Sequence, residues 1–461
     1  MEDGRVEPGP ACERGRAITL RWNGRSVPAY EGETVGAALH AAGERAIMRS
    51  IKYHRPRGLF CCTGKCASCL VRVDGTPNVR ACVTPVRDGM DVRTQNAFPS
   101  ARRDLFSVVD KVYPETFDYH QRFIRPRALT PVYHKVIRAM AGFGRVPDLH
   151  PAAPRRPPIR RVEVDVAVVG AGPSGLSAAA AAAEGAASVL CVDESDRAGG
   201  SLLLTPAGPD APRDGVEVAA DLAARVADAG GEVLARSVAF GLYLTDGRGD
   251  ALAPPGVLAV LAPERVLDVR ARALVVASGH HETPALFGGN DLPGVMGARA
   301  ALILLRRHGV LPGRRVALLG EGAVLDEAEA ALRAAGAEVA GVVGRDGWQG
   351  ATLVEARGGD RVERIELARD GSRPWTERVD CVLVAGGETP RVEILQQAGC
   401  RMAWRGAYLP DAKDVATSVP GVFAAGSVLG PAPLAERIAQ GARAGEAAAA
   451  FARARVREVR A

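Results

Sequence analysis

Polar and apolar positions alternate over Ile18 to Trp22 and Ser26 to Tyr30, and the Asn23-Gly24 pair between them predicts a β-hairpin with a tight turn. Glu33 to Ala42 then reads as a short helix, with Thr34 near its start and Gly43 just past its end. Beyond residue 160 the pattern changes. Short unbroken apolar runs recur at Asp165 to Val169, Ser188 to Val192, Ala271 to Ala277, from Arg314, at Glu338 to Val343, Cys381 to Ala385 and Val422 to Gly426. Such runs suit strands buried on both faces of a parallel sheet. Helical stretches lie between them at Leu176 to Ala183, Glu217 to Ala229 and up to Ala335, and Glu232 to Phe240 reads as one more strand before hairpins to about 270. The class predicted is α/β, with a small β-rich domain in front.

The first apolar run carries chemistry. Gly170, Gly172 and Gly175 stand in the G-x-G-x-x-G spacing. The first allows the tight turn, the second lets the backbone approach a pyrophosphate, and the third lets the helix pack close to the strand. The helix N-terminus there, with Pro173 and Ser174, faces the phosphates, and Asp193 and Glu194 at the second strand end are placed for an adenosine ribose. Gly200, Val238, Ala277, Ser278 and Gly279, and the strand-to-helix turn at Gly426 and Ser427, complete the expected cofactor site. His280 and His281 follow the small residues of the third run, and read as structural or solvent-facing more readily than as acid–base groups. A second, degraded unit begins at Arg314, with Gly320 and Gly322 but Leu325 in the third glycine's place and Gly344 near the expected acid. NAD or another adenine nucleotide on this unit and a unit kept for packing both stay open; Asp346 is the available acid.

Four of the nine cysteines form the other motif, Cys61-x4-Cys66-x2-Cys69-x12-Cys82. Three close thiolates with a distant fourth match the loop that holds a 2Fe-2S cluster in plant-type ferredoxins. A structural zinc site would pair its cysteines as two doublets, and disulfides are not expected without export. Cys62 is read as a non-ligand and Cys12 as an incidental thiol; Cys381 and Cys400 are isolated, which removes a C-x-x-C redox pair. Lys52, His54, Arg55 and Arg57 precede the loop, and either tune the cluster's potential or form a solvated basic stretch.

Composition narrows the class. At 461 residues, 47% hydrophobic and 24% charged, the chain has the make-up of a multidomain globular protein. A net charge of +6 without a basic tract interleaved with aromatics makes nucleic acid a poor partner, and no run is long enough to span a bilayer. The polar first dozen residues hold no signal-peptide core, so a cytoplasmic setting is expected. The expected domains are 1–100, the cluster domain; 101–160, an aromatic connector ending in a Pro-rich tether at Pro151 to Arg160; 161–296, the first part of a cofactor domain; 297–396, the inserted nucleotide-like domain; and 397–461, the cofactor domain's second part. The connector's Phe106, Tyr113, Phe117, Tyr119, Phe123, Tyr133 and Phe143 are expected to pack between domains or on another subunit.

SIKYHRPRG, NVRAC, TQNAFPS, VVGAGPSGLSAAAAAA, DESDRAGGSLL and GNDLPGVMGARAA resemble the N-terminal half of the α subunit of heterotetrameric sarcosine oxidase. They are also similar to α subunits of opine, proline and hydroxyproline dehydrogenases and of hydrogen cyanide synthase. The resemblance implies a β-grasp ferredoxin-like domain followed by a two-dinucleotide-binding flavoprotein of the glutathione-reductase kind, loaded with FAD and a 2Fe-2S cluster. It further implies an electron-transferring α subunit of a heteromeric amine or imino-acid dehydrogenase or oxidase. Substrate would be oxidised on a β subunit of amino-acid-oxidase fold, and a protein, quinone or oxygen would accept the electrons. No substrate-oxidising constellation stands in this chain, so no catalytic residue is assigned. Ser427 replaces the family's usual aspartate, and with the chain ending at 461, folate chemistry is not implied. A self-sufficient NAD(P)H-dependent reductase and a non-redox scaffold subunit are the competing readings.

Overall fold

The computed structural model describes residues 4–112, 125–140, 157–208, 211–245, 252, 255–345 and 348–460. The chain divides into two compact units: Met1–Ala153 with Glu282–Gly387, and Pro154–His281 with Glu388–Ala461.

In the first unit the hairpin forms as its turn dictates, Ala17–Trp22 against Arg25–Tyr30, with Asn23 at φ 49° and Gly24 at φ 84°. Ala17–Trp22 also pairs in parallel with Asp91–Thr94, which continues antiparallel through Leu70–Val73 to Thr76–Arg80. The helix Val35–Ala41 packs with every residue buried, and its Thr34 cap accepts a hydrogen bond from the Ala37 N–H at 3.2 Å. This is the expected β-grasp domain.

The inserted segment belongs to the same unit. Val295–Gly297, Cys381–Ala385, Arg315–Gly320 and Glu338–Val343 form a four-stranded parallel sheet, beside a three-stranded antiparallel sheet of Ala351–Arg357, Arg364–Arg369 and Trp375–Arg378. This part of the first unit begins at Glu282, and Val295–Gly297 pairs with Cys381–Ala385 inside its sheet. Buried His40 of the β-grasp helix hydrogen-bonds the Pro312 carbonyl through Nε2 at 2.9 Å, and Gly58 lies so close to Pro293 that a Cβ would meet it at 3.1 Å.

The second unit is a seven-stranded sheet ordered Glu232–Leu234, Val189–Val192, Ile159–Val169, Arg265–Val276, Val257–Ala262, Val238–Tyr243, with Val422–Ala424 also on Arg265–Val276. The first four strands and Val422–Ala424 run parallel, as the valine-rich runs required. The stretch read as one strand from Glu232 to Phe240 is two. It breaks where Arg236 takes φ 52° and the Arg236 and Ser237 N–H groups turn to the carbonyls of Ser195 and Asp193. Against the sheet, Pro173–Glu184 and Leu434–Arg460 approach closely. A Cβ on Gly441 or Gly445 would sit 2.2 or 2.1 Å from the carbonyls of Ser174 and Ala178. Strand Ile159–Val169 starts within the segment assigned to the Pro-rich tether, whose residues 151–156 lie outside the described ones. Among the described residues no helix is long and apolar enough to cross a membrane.

Candidate functional site

In the first unit the loop after Phe60 folds its thiols together. Cys62, Gly64 and Ala67 all take positive φ (50°, 74° and 56°), which curls the backbone inward. The N–H groups of Thr63 and Lys65 point at the Cys61 sulfur, each at 3.4 Å, and those of Ser68 and Ala81 point at Cys66 and Cys69. Cys61 lies within hydrogen-bonding reach of Cys66 and Cys82, and Cys82 of Cys69, so the four sequence-identified sulfurs converge.

That proximity makes the thiols share protons. Hydrogen bonds from Cys66 and Cys82 hold Cys61 far below the ordinary thiol range, while the same bonds push Cys66 and Cys82 up. Four sulfurs lined with backbone donors fit a cluster whose sulfur atoms carry negative charge. Among the described residues no three His, Cys, Asp or Glu side chains surround a single ion position. Two irons, each taking two thiolates, need no such point. Cys62 points elsewhere in its chemistry: burial pushes its thiol up and keeps it protonated.

The basic stretch before the loop is neither free nor solvated as a whole. His54 is 1% exposed and its Nδ1 meets Asp104 Oδ2 at 2.7 Å, with Phe106 at 5.3 Å between ring centroids. Arg55 bonds Asp110 at 2.8 Å and Arg57 bonds Asp291 at 2.6 Å. These pairs anchor the loop to the connector's first turn and to the inserted segment. Of the connector's aromatics, Phe106 and Tyr133 are described; Tyr113, Phe117, Tyr119, Phe123 and Phe143 lie outside the described residues.

Sequence reading missed Glu282. This half-buried carboxylate accepts the Arg299 N–H at 2.7 Å at the start of the helix Ala298–Leu302, and Gly297 beside it donates to the Phe60 carbonyl at 3.0 Å. Burial raises its carboxyl to about 7, against the pull of the Arg299 N–H and charge. Only the strained packing of Gly297, where a Cβ would come within 2.2 Å of Glu282, betrays it, and that is invisible in one sequence.

In the second unit the glycine loop meets its requirements. A Cβ on Gly175 would lie 1.7 Å from the Gly170 carbonyl and one on Gly170 2.4 Å from that of Ala277, so both must be glycine for packing. At Gly172 a Cβ would meet nothing within 4 Å, leaving the open approach a pyrophosphate needs. Helix Pro173–Glu184 starts there with proline in its first turn, three residues before the sequence suggested.

Around this loop most of the expected positions come together. Gly200 packs on Gly172 and Gly426 on Ser174, where Cβ atoms would approach to 2.8 and 2.3 Å. The Gly426 N–H donates to Gln440 Oε1 at 3.0 Å, and Ser427 beside it is buried. Asp193 accepts the Ala171 N–H at 2.6 Å and the Ser195 N–H at 2.7 Å, so it also braces the loop. Glu194 pairs with Arg391 at 2.8 Å. Arg391, which stands in no motif, also receives the Ser278 hydroxyl on its carbonyl at 2.6 Å and donates its N–H to the Gly279 carbonyl at 3.0 Å. Val238 is partly exposed on the strand that follows Ser237. His280 Nε2 meets Glu388 at 3.0 Å with its side chain 4% exposed, a buried structural pairing.

The other nucleotide-like segment departs where its sequence does. Gly320 still needs glycine, since a Cβ would strike the Ala385 carbonyl at 2.1 Å, and Gly322 is open. But Leu325, 1% exposed, fills the place where Gly175 allows contact in the first fingerprint. Arg345 after the strand pairs with Asp326 in the helix's first turn at 2.8 Å, and Asp346 lies outside the described residues.

A four-thiol loop and a dinucleotide fingerprint on one chain define an iron–sulfur, dinucleotide-binding oxidoreductase. Residues 15–97 match the 2Fe-2S iron-sulfur cluster binding domain family, 168–232 the NAD(P)-binding Rossmann-like domain family, and 349–449 the pyridine nucleotide-disulphide oxidoreductase family. The chain is similar to sarcosine oxidase α subunits and to subunits of hydrogen cyanide synthase and opine oxidase. It is 32% identical to sarcosine oxidase subunit alpha of Rhizobium meliloti over 468 residues, 94% of this chain and 46% of that one. It is 44% identical to hydrogen cyanide synthase subunit HcnA of Pseudomonas aeruginosa over 87 residues, 19% of this chain and 83% of that protein. The chain thus spans about half the length of the sarcosine oxidase subunits it matches. An L-proline dehydrogenase structure from P. horikoshii shares the fold, with a TM-score of 0.70 at 22% identity over 97% of this chain and 78% of that one.

Proposed function

We propose that this chain is the electron-transferring subunit of a heteromeric amine or imino-acid dehydrogenase or oxidase, holding FAD on the Gly170 fingerprint and a 2Fe-2S cluster on Cys61, Cys66, Cys69 and Cys82. The convergence of the four sulfurs beneath backbone N–H groups is the observation that carries it. When bound, the flavin takes a two-electron equivalent and the iron centre passes single electrons, so the pair converts one currency to the other.

The chain's own residues do the binding and orienting. Gly172 and the helix start at Pro173 admit and neutralise a pyrophosphate, and Glu194, steadied by Arg391, and Asp193 receive the ribose. Buried Ser427 offers a neutral hydrogen-bonding group where the family usually has a carboxylate. Names of the relatives include sarcosine oxidase, opine oxidase and proline dehydrogenase, which supports a CH–NH donor oxidised on a partner subunit.

The test is Cys66→Ser. The variant is expected to lose the cluster's visible absorption and its iron while keeping the flavin spectrum; normal iron content would remove Cys66 from the ligand set. NADH should not bleach the flavin of the isolated chain, given Leu325 and the Arg345–Asp326 pair on the second fingerprint. Rapid bleaching would instead favour a self-sufficient NAD(P)H-dependent reductase.

A further inference from the structure

Charge is distributed unevenly along this chain. Residues 15–97 carry thirteen Lys and Arg against six Asp and Glu, an excess of seven, whereas the rest of the chain carries a net charge of −1. From Arg45 to Val73 there is no acidic residue at all, against seven basic ones. Several of these cations are committed: Arg55 and Arg57 to Asp110 and Asp291, and buried Arg49 to backbone carbonyls. Lys65 and Arg80 stand at the thiol loop itself.

Both are exposed at the lip of the thiol loop. Lys65 sits between Cys61 and Cys66, and the Arg80 Cδ lies where a Cβ on Gly64 would be 3.5 Å away. Val83, 45% exposed and next to buried Cys82, lies beside the same glycine, where an added Cβ would meet it at 3.1 Å. Thr63 and Ala67 in the same loop are exposed as well. Glu282, the carboxylate whose charge acts on Cys61, is half-buried rather than exposed. The edge of the site nearest solvent is therefore a small apolar centre flanked by cations.

We infer that this rim is the docking surface for an acidic one-electron carrier protein. The inference rests on the 2Fe-2S reading. A patch of one sign around a redox centre raises the encounter rate with an oppositely charged partner and orients it, and this advantage fades as salt screens it. The apolar centre then gives close contact once the partner has been steered in. On transfer one electron leaves the reduced cluster for the carrier's oxidised centre, and no bond or proton changes.

One carrier in two charge states tests this with the driving force held equal: cytochrome c, which is basic, and its succinylated form, which is acidic. With protein and carrier both oxidised, titration at low ionic strength should show the acidic form binding at least about tenfold more tightly than the basic one. The difference should vanish near 1 M salt, where the screening length is about 3 Å. Lys65→Glu with Arg80→Glu should reverse the preference, leaving the cluster's visible spectrum and the melting temperature in place. Arg25→Glu, on the distant hairpin turn, should leave it unchanged. Single-turnover oxidation of the dithionite-reduced protein should follow the same order. A potential shift caused by the new charges would move both probes the same way, whereas docking moves them oppositely. Equal binding of the two forms, or a preference that survives the double reversal, overturns the inference; a preparation with no cluster spectrum overturns the cofactor reading instead.

Discussion

At the scale of single residues, the glycines separate packing from binding. Gly175→Ala drives a Cβ into the Gly170 carbonyl at 1.7 Å, so backbone must move and the cost should reach about 3 kcal/mol, seen as a large fall in melting temperature. Gly172→Ala points a methyl into open space from an ordinary φ of −79°. It should melt within about 2 °C of the parent yet bind flavin about tenfold more weakly, a loss of roughly 1.4 kcal/mol. Unchanged flavin affinity in that variant would move the pyrophosphate away from this loop. Glu282 gives the pH dependence. Its carboxyl, raised by burial from 4.5 to about 7, holds a proton in the folded protein that the unfolded chain releases between those values. Stability should therefore fall as pH rises from about 4.5 to about 7, by roughly 3 kcal/mol at most, and be level above. Denaturant melts at pH 5 and pH 8 should show a smaller difference in Glu282→Gln, which keeps an acceptor for the Arg299 N–H but has no proton to lose.

At the scale of elements, the close pair Pro173–Glu184 and Leu434–Arg460 joins the first fingerprint to the last helix of the chain. Gly445→Ala would set a methyl 2.1 Å from the Ala178 carbonyl, pushing the helices apart. Flavin should be released and the second unit melt earlier, while iron content stays whole because the thiol loop belongs to the other unit; loss of iron would count against that separation. These elements were readable because local rules agreed: Asn23-Gly24 for the hairpin, valine runs for parallel strands, glycine spacing for the turn. The break at Arg236 was not, since nothing local marks a left-handed arginine whose N–H, with that of Ser237, bonds to the end of a different strand. Arg391 and Glu282 were hidden for a related reason. Each acts across nearly 200 residues or through a helix start, and neither stands in a motif.

For the whole molecule, the four cysteines converge as their spacing predicted, whereas the pairing of the basic stretch before them was not legible. His54, Arg55 and Arg57 proved to be anchors, because their acidic partners lie 50 to 234 residues further along the chain. The first unit resumes at Glu282, and its three-residue strand Val295–Gly297 carries almost no periodic signal. What unites the two units in function is electron counting. Anaerobic titration of the reconstituted chain with dithionite measures this directly. About three electron equivalents should be consumed per chain, two with bleaching of the flavin and one with the appearance of the paramagnetic signal of a reduced 2Fe-2S cluster. A chain that binds neither iron nor flavin after reconstitution, and consumes no electrons, would contradict the account.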